Sequence, residues 1–309
     1  MKKNKIILSS LLLIVICFCD QILFAQDIDL FKMQEEQNKK EKKEKKEIVT
    51  ATFKTTRLIN GQSIENVGRG IMDLKISHRF GAVNSGAYNF FGLDQATMRI
   101  GMDYGITDRL MVGIGRSAFN KEFDGFLKYK LIRQSTGKTN MPISVSYAAT
   151  GIWQSLKDPT TTFPINYTDH FFFAHQLIIA RKFNDYFSLQ LVPTLVHYNI
   201  VPLETNPNDL YSLGVGFRQR ISKRVNITGE YYYQFNPLSG YHNSFSLGFD
   251  IETGGHVFQL HFTNSTGINE KSFITQTDGQ WSKGDIHFGF NIARVFTIVK
   301  PKALASTKW

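Results

Sequence analysis

From Gly70 to Phe296 the chain alternates apolar and polar side chains in segment after segment, a period of two that puts the two sets on opposite faces of β-strands. Met72, Leu74, Ile76 and Phe80 oppose Asp73, Lys75, Ser77 and Arg79. Ala96, Met98, Ile100, Met102, Tyr104 and Ile106 oppose Gln95, Thr97, Arg99, Gly101, Asp103 and Gly105. The same alternation recurs with Ile143, Val145, Tyr147, Ala149 and Trp153, with Val225, Ile227, Tyr231, Tyr233 and Phe235, and with Phe245, Leu247, Phe249 and Ile251. No segment after residue 50 carries a convincing helical period.

These runs predict twelve strands, over 70–80, 94–106, 110–117, 124–132, 141–153, 170–181, 187–197, 210–220, 225–235, 243–252, 256–263 and 284–296. Connections after odd-numbered strands are mostly long, and those after even-numbered ones mostly short, with 133–140 the exception. An even strand count, strands of about ten residues and alternating short and long connections predict an all-β fold, a closed antiparallel transmembrane β-barrel of the outer membrane, with its short turns in the periplasm.

A soluble barrel or sandwich would show the same alternation with its apolar face inward. Three features favour the membrane. The polar face is mostly Ser, Gly, Thr, Gln and Asn with isolated charges, where a solvated surface carries many more Lys and Glu. Aromatic residues gather near strand ends (Tyr104, Trp153, Phe171, Phe173, Tyr211, Tyr233, Phe235), as interfacial girdles do. A twelve-stranded lumen is also too wide for its own apolar side chains to fill.

In the last strand Phe288, Phe290, Ile292 and Phe296 fall at even spacing, resembling the aromatic terminal strand that barrel-assembly machinery recognises, so that machinery is an expected partner. Lys300-Pro301 breaks the pattern. In the tail, 299–309, Trp309 either takes over as the terminal signal or leaves that role to Phe296.

The N-terminal region follows different rules. Lys2, Lys3 and Lys5 precede an apolar run from Ile6 to Cys19, and Leu23-Phe24-Ala25 follows it, the layout of a cleaved secretory leader over 1–25. The run is shorter than the roughly 20 residues of a spanning helix. A lipid anchor needs a small residue before its cysteine, but Cys17 follows Ile16 and Cys19 follows Phe18. Both cysteines lie in the leader, so the exported chain is expected to lack disulfides, thiolate metal sites and cysteine nucleophiles. Residues 26–47, with seven lysines and five glutamates between 32 and 47, read as a charged periplasmic linker, or alternatively as a partner-binding arm. The irregular segment 48–69 is left open between an extra strand, a luminal plug and a simple lead-in to a barrel over 70–298.

The chain has 309 residues and a formal net charge of +10. Export argues against nucleic acid as the basic chain's partner, and no Lys/Arg stripe follows residue 50. Outer-membrane lipid, lipopolysaccharide phosphates in particular, is the expected partner.

Several stretches together resemble a known family: "ATFKTTRLINGQSIE" (51–65), "SHRFG" (77–81), "FGLDQATMRIGMDYGITDRLMVGIGRS" (91–117) and "FDGFLKYKL" (123–131). The likeness, over roughly residues 50 to 298, is to the outer-membrane β-barrels of domain of unknown function 5777, typical of Bacteroidota. It implies a barrel in the outer membrane and carries over no activity and no functional residues.

Candidate chemistry is sparse. Lipid hydrolysis would want Ser, His and a carboxylate together on the lipid face. His78, His175, His197 and His256 lie on apolar faces, but no serine stands beside them in an elbow-like context, and "GIGRS" (113–117) is not a nucleophile elbow. His261 and His287, with Asp285 nearby, form a weak candidate for a divalent cation. No cofactor is expected. The lumen charges are more informative. Lys75, Arg79, Arg99, Lys128, Lys130 and Arg218 are matched by Asp73, Asp103, Glu230, Asp250, Glu252 and Asp285. Unpaired buried ions are costly, so this near-balance predicts a lumen crossed by salt bridges and partly filled; a narrow pore with a basic constriction at Lys128 and Lys130 is the alternative. The function expected is therefore a non-enzymatic narrow pore or envelope scaffold. A barrel enzyme acting on lipid or lipopolysaccharide and a soluble periplasmic lipid-binding barrel are the competing readings.

Overall fold

A computed structural model describes residues 46–156 and 166–299. The leader, most of the charged linker and the tail from residue 300 lie outside the described residues. Two short strands, β1 (Lys46–Ile48) and β6 (Ser135–Gly137), pair antiparallel as a separate small ribbon.

The other strands are β2 (Ile71–Ala82), β3 (Ala96–Gly105), β4 (Leu110–Ser117), β5 (Glu122–Ile132), β7 (Ser144–Gln154), β8 (Phe171–Lys182), β9 (Phe187–Tyr198), β10 (Asp209–Arg220), β11 (Val225–Gln234), β12 (Ser244–Thr253), β13 (His256–Thr263) and β14 (His287–Thr297). Each pairs antiparallel with its sequence neighbours, and β14 closes on β2 through partners such as Ile292 with Ile76 and Phe290 with His78. The twelve-stranded antiparallel barrel expected from the alternation is the fold.

The outer face is the apolar one. Met98, Ile100 and Leu247 are 41%, 46% and 41% exposed, whereas Asp73, Lys75, Arg79, Arg99 and Asp103 on the opposite face are buried. A soluble barrel would have the reverse arrangement, so the exposed apolar face belongs against hydrocarbon. No described helix is long and apolar enough to cross a membrane; the strands cross it.

Short turns collect at one end, and side-chain caps build them. Thr107 Oγ1 accepts from the Arg109 and Leu110 N–H groups. Asn184 Oδ1 accepts from Tyr186 and Phe187, and Ser222 Oγ from Arg224 and Val225. Such self-capping lets two strands reverse in a few residues. The longer connections lie at the other end, the extracellular one in this architecture.

Two features depart from the sequence expectation. The last strand begins at His287 instead of 284, because Asp285 and Gly284 close a turn first. The connection after β13 also contains a short helix, Glu270–Thr275, capped by the Asn269 side chain accepting from the Ser272 N–H. At six residues it is too short to leave a periodic signal.

Candidate functional site

The site is the lumen, and two segments of the chain occupy it. Residues 52–65 enter from the short-turn end as a hairpin: Leu58 N–H donates to Gly61 O at 2.8 Å and Ser63 N–H to Thr56 O at 3.0 Å. From the other end the connection 264–286 folds inward, and all six residues of its helix are buried.

Wall side chains hold the hairpin by its backbone. Glu230 on β11 accepts from the Asn60 and Gly61 N–H groups at 2.8 and 3.1 Å. Gln259 on β13 donates to Leu58 O at 2.6 Å, Asn291 on β14 to Ile59 O at 2.9 Å, and Gln190 on β9 to Gln62 O at 2.9 Å. Lys128 on β5 donates to Ser63 O at 3.0 Å, Thr56 O at 3.3 Å and the Gln62 side chain at 3.2 Å. Arg79 donates to Asn60 Oδ1 at 2.6 Å, and Thr56 donates to Asp103 at 2.5 Å while accepting from Lys75. Shape enforces the fit. A Cβ on Gly61 would fall 1.9 Å from the Tyr232 hydroxyl, and one on Gly216 would fall 2.5 Å from Leu58.

The inserts also share an apolar core, which the expected polar lumen did not include. Phe53, Leu58 and Ile64 of the hairpin pack with Phe273 and Ile274 of the helix against Ala148, Ile178, Ala180, Val192 and Tyr232 of the wall. Twelve strands alone cannot fill their interior with apolar side chains, but two inserted segments supply the missing volume.

The inserts join each other through Arg57 Nη1, which donates to Glu270 Oε1 at 3.0 Å. The helix's polar contacts centre on one wall residue, with Lys271 also donating to Gln154 Oε1 on β7 at 2.8 Å and Thr275 bonded to the Tyr198 hydroxyl on β9. Glu122 on β5 accepts from Lys271 Nζ at 2.8 Å and from Asn269 Nδ2 and Ser272 Oγ at 2.5 Å each.

The charges predicted for the lumen meet several kinds of partner. Lys75 pairs with Asp73 and Asp103, each at 2.8 Å. Arg99 pairs with Asp124, its Nε 2.8 Å from Oδ1, and not with another residue of the predicted set. Lys128, Arg79 and Glu230 face polar groups of the hairpin instead of opposite charges on the wall. Of the two lysines expected at a constriction, Lys130 lies 4.0 Å from Glu65 and Lys128 is held by the hairpin carbonyls. Arg218 reaches Asn226 and Ser188, and Asp250 accepts from Gln259 at 2.9 Å. Glu252 is half-exposed and bonds to Lys54 at 2.9 Å.

Asp285 is the correction. It is not a lumen group but part of the turn before β14, where it accepts from Asn84 at 2.7 Å and from the Gln280 N–H at 3.1 Å. These donors, the Asn84 amide foremost, hold its carboxyl below the usual carboxylate range.

The histidines do not assemble a reactive centre. His261 is buried beside Gly289, and His287 Nδ1 donates to Phe80 O at 2.9 Å. No group of three or more metal-binding side chains gathers among the described residues. On the outer face His78 stacks on Phe290 with ring centres 5.0 Å apart, His175 bonds to the Tyr147 hydroxyl at 2.7 Å, His197 to Asp209 at 2.7 Å, and His256 lies 6.1 Å from the Phe258 ring.

Glu122 lies before the strand expected over 124–132, and Asp124, its first residue, is absent from the expected lumen charges. Their parity with Lys128 is the signal that would have found them. Arg57 and Asn60 lie in an irregular segment, Glu270 and Lys271 in a six-residue helix, and none leaves a periodic mark.

No curated protein matches the chain. Among solved structures, the NanC porin aligns with a TM-score of 0.45 at 7% identity, over 74% of this chain and 100% of that one. The KdgM porin aligns at 0.45 and 9%, over 73% and 99%, and Salmonella typhi OmpF at 0.35 and 9%, over 73% and 97%. Residues 53–296 match the profile of the membrane bound beta barrel domain, DUF5777, and the chain belongs to that family.

Proposed function

We propose that this protein is a narrow outer-membrane pore held shut by its own chain, with the hairpin 52–65 as plug and the connection 264–286 as a second stopper. The observation that carries the reading is the kind of contact on the hairpin. Glu230, Lys128, Gln190, Gln259 and Asn291 bind its backbone through hydrogen bonds that water can replace. Lifting the hairpin out would leave a wall that is polar outside the patch of Ala148, Ile178, Ala180, Val192 and Tyr232, and a twelve-stranded barrel cleared of its inserts has room for a water-filled path. A barrel serving only as a scaffold gains nothing from so polar a seat.

Planar-bilayer recording tests this. The full chain is expected to be mostly closed with rare small openings, and a variant with 53–64 replaced by a short Gly/Ser linker and carrying Glu122→Ala, which frees both stoppers, is expected to conduct steadily. Electrical silence of both, in protein verified as folded by its heat-modifiable gel migration, would overturn the pore and leave the scaffold.

A further inference from the structure

The lipid-facing surface has a place where its run of bulky side chains fails. Gly125 on β5 and Gly151 on β7 point outward and stand opposite each other in the ladder. A Cβ on either would approach nothing closer than 3.9 Å, so neither steric crowding nor backbone conformation demands glycine there. The pair leaves a dent two strands wide. On the same ladder row Ile114 flanks Gly125 and Phe173 flanks Gly151. Two residues nearer the extracellular end, Phe123 and Trp153 stack with ring centres 5.6 Å apart and form its upper edge. The resulting cavity, about 710 Å³, has an almost wholly apolar lining.

A cation completes the site. Arg116, the ladder partner of Phe123, lies at the extracellular rim, with its guanidinium 5.3 Å from that ring. It is exposed and makes no ion pair among the described residues. Lys121, in the turn between β4 and β5, is exposed nearby. A guanidinium on the lipid face is costly unless it reaches the headgroup layer, where phosphate is the available counter-ion.

We infer that the Gly125–Gly151 dent and Arg116 form a binding site for the phosphorylated glycolipid of the outer leaflet, with one acyl chain in the dent and a phosphate on Arg116. The apolar dent and the basic rim are spaced along the strands as the tail and headgroup of one lipid are spaced across a leaflet. A second barrel seated on the same face would find hydrocarbon complementarity in the dent but no stated role for Arg116. This inference is independent of whether the lumen conducts.

The test is a titration of the full chain, folded in detergent, with purified lipid A, read by native mass spectrometry. One lipid A per chain is expected. Gly151→Leu, Gly125→Leu and Arg116→Gln should each weaken retention by roughly tenfold or more, a loss of one hydrocarbon seat or one charge-assisted contact. Dephosphorylated lipid A should bind the wild type as weakly as lipid A binds Arg116→Gln, and should be indifferent to that substitution. Arg116 is on the surface, so its variant remains informative should a leucine variant not fold. Equal retention of both lipids by all folded variants would overturn the site. Loss of a dimer, instead of loss of lipid, in the leucine variants would also overturn it and assign the face to a second copy.

Discussion

The two segments that occupy the lumen are held in opposite ways. The hairpin 52–65 is bound by side chains distributed around the wall, from Arg79 on β2 to Asn291 on β14, and no single contact dominates. The polar contacts of the helix in the connection 264–286 centre on Glu122, which takes three of its donors, while Gln154 and Tyr198 add one contact each. A distributed seat tolerates the loss of any one contact and releases its occupant only as a unit. A concentrated anchor can be undone at a single point. The contrast marks the helix as the fragile closure and the hairpin as the robust one.

Glu122→Ala should have the largest effect. It leaves the Lys271 ammonium buried without its carboxylate, a change that costs about 3–5 kcal/mol when one partner of a buried ion pair is removed. The helix is expected to leave the lumen and Lys271 to become cleavable by trypsin added to the outside of proteoliposomes, where the wild type resists. Continued resistance at Lys271 would show that the neighbouring contacts suffice and that the anchor is not concentrated. Release of the helix also removes Glu270 from Arg57, so exchange of hairpin amides in the same variant measures how far the two closures are coupled.

Glu230→Ala probes the distributed seat. It strips the Asn60 and Gly61 N–H groups of their acceptor at a cost of about 1–3 kcal/mol for buried donors left unpaired. Gln259, Asn291 and Lys128 still hold the neighbouring carbonyls. Hydrogen exchange in peptides spanning 58–63 should therefore quicken by roughly tenfold to a hundredfold while the hairpin stays seated. Full exposure of 52–65 from this one change would mean that Glu230 dominates and that the comparison between the two inserts fails.

The wall was legible in the chain because the physics that sets it is periodic. Each strand must alternate to face hydrocarbon on one side and the lumen on the other, and Lys75, Arg79, Arg99 and Asp103 sit where their parity puts them. A luminal plug over 48–69 was one of the alternatives the chain offered, but how the lumen is filled was not legible. Arg57, Asn60, Glu270 and Lys271 belong to segments whose conformation is imposed by the wall they dock on, and docking leaves no repeat in the residues that dock. For the same reason most of the lumen charges were legible from parity while only some of their partners were, Lys75 with Asp73 and Asp103 among them. Lys128 and Glu230 both turn to backbone groups of a segment with no regular pattern. Asp285 shared the parity of the last strand, but the turn that precedes His287 claimed it first.

The smallest expected effect concerns that turn, and it separates the outer end of the connection 264–286 from its inner, Glu122-anchored end. Asp285 joins Asn84 to the Gln280 backbone, and Trp281 beside it donates from Nε1 to Phe245 O at 2.9 Å with its ring packed on Phe245. Because the folded environment depresses the Asp285 pKa, the ionised form is favoured when the turn is closed. The contribution is therefore fully present above the ordinary carboxylate pKa, near about 3.9, and is lost as pH falls through the depressed value. The part of the tryptophan emission removed by Trp281→Phe should shift on acidification below that point, and Asp285→Asn should flatten the titration. Lys271 should stay protected from trypsin when assayed at neutral pH in Asp285→Asn, because its anchor at Glu122 is untouched. Cleavage there would mean that the rim and the buried helix open together, and that the two ends of this connection are one closure.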